Sequence, residues 1–101
     1  MTEAGCRFEE RDGGTLAIRG VLTFDTAKAA WQFLRERLGR GGISVIDLSA
    51  VERGDSAGLA CLLAVLAEAG RHGPSPRVRG LPAGLRRLAQ VCEVEPMLAS
   101  G

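Results

Sequence analysis

The stretch over residues 43–66, ISVIDLSAVERGDSAGLACLLAVL, constrains this chain more than any other. It opens on Ile43, Val45 and Ile46, an almost unbroken apolar run that reads as a strand covered on both faces. A polar crossing follows from Asp47 to Asp55, with Leu48 and Val51 as its main apolar members. After Asp55 and Ser56 the chain turns apolar again, now at helical length, from Ala57 to Ala67. A strand, a loop and a helix start in that order present backbone N–H groups and short polar side chains at one helix N-terminus. Asp55 or Ser56 can cap this helix, and Gly58 keeps its first turn free of bulk. The function of so small a chain is expected there.

The flanking segments supply the rest of a sheet. Residues 6–11 form a polar strand suited to an edge, and Asp12-Gly13-Gly14 is a hairpin signal. Residues 15–22 alternate, with Leu16, Ile18 and Leu22 on one face and Ala17, Arg19 and Val21 on the other. Thr23 to Thr26 offers several caps for a helix striped with Ala27, Ala30, Trp31, Leu34 and Leu38, ending at Gly39. The Gly39-Arg40-Gly41-Gly42 run lacks the Gly-Lys-Ser/Thr of a phosphate loop and precedes a strand, so it reads as a helix stop and turn. The second helix spans about 56–71, closed by Gly70, Gly73 and Pro74. Residues 76–81 make a short charged edge strand. Pro82 then suits the first turn of a third helix, with Leu85, Leu88, Ala89 and Cys92 on one face. Val94, Met97 and Leu98 dock as a short final turn.

The order is β-β-α-β-α-β-α in one domain. Right-handed crossovers place the strands at 15–22, 43–47 and 77–80 parallel in one sheet. Their carboxyl ends then share an edge that gathers Thr23–Thr26, Asp47–Ser56 and Leu81–Pro82, where open α/β sheets place binding sites.

Composition narrows the chemistry. Only four of the 101 residues are aromatic (three Phe and one Trp), so the core must be aliphatic. Thirteen basic residues stand against twelve acidic ones, and the arginines look scattered and interleaved with Glu, as on a solvated surface. No nucleic-acid partner and no direct membrane insertion are expected. Cys6, Cys61 and Cys92 show no ligand spacing and read as small buried hydrophobes. The start lacks a basic segment followed by an apolar one, and no eighteen apolar residues run together, so a soluble cytoplasmic protein is expected. His72, the one histidine, reads as a solvated loop residue, and Asp47 and Asp55 as turn and cap residues. Neither a catalytic set nor a metal or cofactor site emerges.

The second helix is more informative. Leu59, Leu62, Leu63 and Leu66 can cover the sheet, while Ala57, Ala60, Cys61 and Ala64 form a small, uncharged opposite side where a surface helix would carry Lys or Glu. Either the helix is buried or alanine-rich for its propensity, or this side is a flat docking face for another protein. The docking reading is preferred, because a small domain seldom covers a helix on both sides. With the adjacent loops, the surface is expected to take in Thr23, Asp25, Arg53, Asp55, Ser56, Ala57, Gly58, Ala60, Cys61 and Ala64.

Ile46-Asp47-Leu48-Ser49-Ala50-Val51 followed by Asp55-Ser56-Ala57-Gly58-Leu59 resembles the signature of STAS domains. The block Gly20-Val21-Leu22-Thr23-Phe24-Asp25-Thr26 and the Leu81-Pro82-Ala83 turn are similar to the family as well. The chain departs from the pattern at Gly54 and Cys92. The likeness spans about residues 7–98 and implies an α/β STAS-like single domain: a mixed four- or five-stranded sheet with helices packed mainly on one side. It also implies a protein-binding module without enzymatic activity. Two branches of the family are in view. In anti-sigma factor antagonists, the serine at the position of Ser56 is phosphorylated by a partner serine kinase, which switches binding off. In the small STAS subunit of bacterial Mla phospholipid-transport ABC complexes, the same helix end docks on the ATPase subunit, which holds it at the inner face of the membrane. The LTFDT block and Arg53-Gly54-Asp55-Ser56-Ala57-Gly58-Leu59-Ala60 are more similar to the second branch.

Overall fold

In the computed structural model, which describes residues 2–3 and 5–98, nine elements follow one another. The first half comprises β1 (Thr2–Glu3), β2 (Cys6–Arg11), β3 (Thr15–Leu22), α1 (Phe24–Gly39) and β4 (Val45–Gly54). The second comprises α2 (Ser56–Gly70), β5 (Arg77–Arg79), α3 (Ala83–Val91) and α4 (Glu95–Leu98). The strands form one mixed sheet in the order β1-β2-β3-β4-β5. Its first two pairings are antiparallel and its last two parallel.

The hairpin between β2 and β3 forms where Asp12-Gly13-Gly14 predicts it. Gly13 and Gly14 both take φ above +80°, a region that favours residues without a Cβ. Each parallel connection crosses through a helix, as parallel strands require.

The helices pack on one side of the sheet. Cys6, Phe8, Leu16, Ile18, Leu22, Ile46, Leu48, Val51 and Val78 enter a single hydrophobic cluster with residues of α1, α2 and α3. Leu16, Ile18, Leu34, Ile46 and Leu62 are fully buried, each contributing about 1.5–3 kcal/mol. At the edge of this core the Phe8 and Phe33 rings stack with centroids 4.2 Å apart. Arg37 of α1 reaches Glu10 of β2 through two hydrogen bonds of 2.6 and 2.9 Å, fixing the far end of that helix.

Beyond two smaller points, β1 rather than residues 6–11 taking the sheet edge and Met97 staying exposed beside buried Leu98, three expectations are corrected. The central strand begins at Val45, not Ile43, and runs through Gly54, so the supposed polar crossing is mostly strand. It is paired along its length with β3, from Thr15 opposite Val45 to Leu22 opposite Gly54, with two register shifts. Leu48 and Val51 fill the core while Ser49, Glu52 and Arg53 face solvent. Such a strand is not covered by helices on both faces; its polar half belongs to the helix-free side. Cys92 is the second correction: it closes α3 as an exposed C-cap, and only Cys6 and Cys61 are buried. Third, Asp47 does not join the carboxyl edge. It lies opposite Ala17 and Arg79, about 20 Å along the strand from Gly54, so Asp47 and Asp55 are not neighbours.

Because β5 stops at Arg79, opposite Asp47, the segment after it runs up beside the second half of β4. Gly80 lies against Ser49, and Leu85 fills the space that a side chain at Gly54 would need, 2.6 Å from its would-be Cβ. The Gly54 departure from the family pattern is thus the room made for α3. Pro82 stands one place before α3, as its N-cap, with a φ of −60° that leads into the helix.

Candidate functional site

The carboxyl ends of β3 and β4 finish side by side, Leu22 opposite Gly54, and each strand passes into its helix through a single residue, Thr23 or Asp55. The two helix N-termini therefore emerge next to one another.

Asp55 joins them. Its backbone is extended, and its N–H donates to the Leu22 carbonyl at 3.2 Å. One carboxylate oxygen accepts from Gly58 N–H at 3.0 Å, capping α2, and the other accepts from Phe24 N–H at 3.0 Å, at the first residue of α1. These bonds, Gly58's first and Phe24's second, hold the Asp55 carboxyl below the usual carboxylate range. Capping thus falls to Asp55, and Ser56 is the first helical residue, exposed, with no hydrogen bond from its hydroxyl among the described residues. On the α1 side, buried Thr26 accepts from Thr23 N–H at 3.0 Å and donates to the Val21 carbonyl at 3.1 Å.

Close approach fixes the rest. A Cβ at Gly58 would collide with the Leu22 carbonyl, so the first turn of α2 lies directly on the end of β3. That seating turns Leu59, Leu62, Val65 and Leu66 into the core. Ser56, Ala60 and Ala64 remain exposed and Ala57 half-buried. Asp25 is exposed and Thr23 half-buried beside them. Arg53 is also exposed, but it stands on β4 opposite Val21, before the strand end.

Cys61 does not belong to this surface. It is buried between the first two helices, its thiol 3.4 Å from the Ala27 carbonyl, and burial pushes that thiol up to about 11. A helical wheel of Ala57, Ala60, Cys61 and Ala64 treats one side as free, whereas α1 packs against the flank that holds Cys61. The structure adds one residue to the expected surface. Phe24 is 78% exposed at the start of α1, its backbone tied to Asp55. The signal was present: an aromatic residue in a cap sequence, where the hydrophobic stripe of α1 does not include it.

The arrangement contains no histidine. His72 is an exposed residue in the turn after α2, 3.8 Å from Glu68. Among the described residues no cluster of His, Cys, Asp or Glu could hold a metal ion, and no helix is long and apolar enough to cross a membrane. What it offers is a rigid, largely uncharged patch of Phe24, Ser56, Ala57, Ala60 and Ala64 around a locked pair of helix starts.

Comparison with known proteins agrees with this geometry. A family model described as "Mlab, STAS domain" matches residues 7–99. The intermembrane phospholipid transport system binding protein MlaB of Escherichia coli (strain K12) is 35% identical over 79 residues, covering 78% of this chain and 79% of that protein. Among solved structures, an anti-sigma factor antagonist from Mycobacterium paratuberculosis is 28% identical with a TM-score of 0.65, covering 90% of this chain and 79% of that one. The Bacillus cell fate determinant SpoIIAA in its phosphorylated form shares the fold at 17% identity and a TM-score of 0.67, over 91% of this chain and 86% of that one. A helix-backed mixed sheet, an aspartate-capped second helix and these matches together establish that the chain belongs to the STAS domain family, within its MlaB-like group.

Proposed function

We propose that this protein is a non-enzymatic binding subunit of an Mla-type phospholipid-transport ABC complex, and that it docks on the ATPase subunit through the N-terminal ends of α1 and α2. The observation that carries this reading is the uncharged patch of Phe24, Ser56, Ala57, Ala60 and Ala64, held rigid by Asp55. A preorganised surface loses little conformational freedom on binding, and an exposed aromatic beside small residues fits the usual anchor of a protein interface. Likeness to MlaB, named for intermembrane phospholipid transport, supports the choice of complex. Localisation follows from the partner, which would hold this subunit at the cytoplasmic face of the membrane.

The test is co-purification with the ATPase subunit of the same transport system. Ala60→Arg and Ala64→Arg place long charged side chains on exposed helix positions and should abolish capture while circular dichroism and thermal unfolding stay close to wild type. Retained capture by both folded variants moves the docking surface elsewhere.

A second reading is favoured by the exposed hydroxyl of Ser56 at the first position of α2. In it, the chain is an anti-sigma factor antagonist switched by a serine kinase that phosphorylates Ser56. Incubation with the anti-sigma factor kinase and ATP, followed by mass spectrometry of the peptide containing Ser56, separates the two.

A further inference from the structure

The arginines that look scattered in the sequence are gathered by strand register onto the helix-free face of the sheet. One cross-strand row there runs Glu9, Ala17, Asp47, Arg79, and the next runs Arg7, Arg19, Ala50. Arg11, opposite Thr15, begins the row on the other side. That row continues through Thr15 and Val45 to Arg77, so five arginines meet two carboxylates, in a chain whose basic and acidic residues otherwise almost balance.

Two details show more than a solvated surface. Arg11 and Arg79 both donate to the same oxygen of Asp47, at 3.2 and 3.3 Å, while its other oxygen is taken by Ser49 N–H and Oγ at 2.9 and 2.6 Å. One carboxylate, its side chain 7% exposed, thus orients two guanidinium groups that remain 41% and 59% exposed. Each guanidinium carries five N–H donors; Arg11 gives a second one to Glu9 at 3.3 Å, and more than half of the donors on each group are left over. Arg7 and Arg19, moreover, stand directly opposite one another on neighbouring strands. Like charges in that position weaken a sheet, and the exposed 3.8 Å ion pair of Arg19 with Glu9 offsets that only weakly.

We propose that the helix-free sheet face, through Arg7, Arg11, Arg19 and Arg79, binds the headgroup phosphates of an anionic lipid surface. Planar guanidinium groups match phosphate oxygens in pairs, and charge complementarity supplies the attraction. No aromatic residue stands in these rows to anchor a protein partner or stack a nucleic-acid base. The contact is adsorption, without insertion. It is independent of the docking patch on α1 and α2 and leaves that patch free.

Co-sedimentation with vesicles tests it without any protein partner. Vesicles of equal parts phosphatidylglycerol and phosphatidylcholine should retain the full chain at low salt, pure phosphatidylcholine should not, and added salt should release it. Arg7→Glu replaces an unfavourable cross-strand pair by a favourable one. It should therefore unfold at the same temperature or higher, yet partition to the anionic vesicles at least tenfold less. Arg87→Glu makes the same charge change on exposed α3 and should keep most of the binding. An equal loss in both variants would reduce the effect to net charge and overturn the assignment. So would indifference to phosphatidylglycerol, or capture by immobilised polyglutamate at a salt concentration where the vesicles are ignored, which would point to an acidic protein instead.

Discussion

The carboxylate of Asp55 accepts the backbone N–H of Phe24 at 3.0 Å while capping its own helix through Gly58 at the same distance, so one side chain closes the N-termini of two helices. A helix start leaves several N–H groups without partners, and a shared acceptor serves both at once. Asp55→Asn keeps one acceptor oxygen and turns an amide donor toward the other N–H, so it should cost about 1 kcal/mol; Asp55→Ala loses both contacts and should cost about 2 kcal/mol. Urea unfolding of both variants measures the difference. Equal costs would mean that the bond to Phe24 contributes nothing.

Asp47 predicts an acid-sensitive step. Its carboxyl is lowered from 3.8 to about 2, chiefly by the Ser49 hydroxyl, with the Ser49 N–H and Arg79 adding to it against the effect of burial. A carboxylate depressed in the folded state contributes its full stability above its unfolded value. That contribution is lost as pH falls from 3.8 through about 2. The amount is about 2 kcal/mol. Unfolding free energies measured across this range should fall less steeply in Asp47→Asn than in wild type. Asp55 changes stability in the same direction as acid is added, so part of the slope should remain in that variant.

Two helical glycines should respond oppositely to alanine. At Gly58 the new methyl would meet the Leu22 carbonyl, a backbone atom that cannot turn aside, so Gly58→Ala should destabilise by about 1–3 kcal/mol or more despite better helix propensity. At Gly84, in α3, a Cβ has nothing within 4 Å, and Gly84→Ala should stabilise by about 0.5–1 kcal/mol. Thermal unfolding decides both, and a neutral Gly58→Ala would mean that α2 can lift off the end of β3.

Partner binding should depend on Phe24 and on charge at Ser56. Phe24 is mostly exposed, so Phe24→Ala should leave stability within about 0.5 kcal/mol of wild type. Loss of an interface anchor should nonetheless weaken docking by about 2 kcal/mol. Because Asp55 is the cap, Ser56→Ala should be nearly neutral in stability and in binding. Ser56→Glu puts a charge beside Asp55 that a docked apolar surface must desolvate, and should weaken affinity at least tenfold, about 1.4 kcal/mol. Calorimetric titration of the purified ATPase subunit with these variants is the measurement, and equal affinity across the three would remove the patch from the interface.

The sequence announces the helix starts better than the sheet between them. Asp12-Gly13-Gly14, the alternation of 15–22 and the cap residues at 23 and 55 are local signals, and the elements stand where those signals put them. The second half of β4 lacks a local signal, because Ser49, Glu52 and Arg53 are tolerated only on a face left open by helices, which is a property of the whole fold. A helical wheel groups Cys61 with the small exposed residues because it does not say where a neighbouring helix lies. Phe24 is masked in the sequence by its polar neighbours, although its exposure makes it the largest apolar contribution to the candidate site. The pairing of Arg7 with Arg19 depends on register alone, and no spacing in the chain reveals it.

The single-residue passages at Thr23 and Asp55 also determine where this scaffold can be rebuilt. An added residue in either passage would pull Asp55 away from Phe24 or Gly58 and rotate the following helix on the sheet, so that end has no room for length variation. The opposite end is built differently: residues 40–44 and 71–76 cross between helix and strand as longer, glycine- and proline-containing turns. New termini, a reporter or a tether would be accommodated there, at the pole of the molecule farthest from the helix starts.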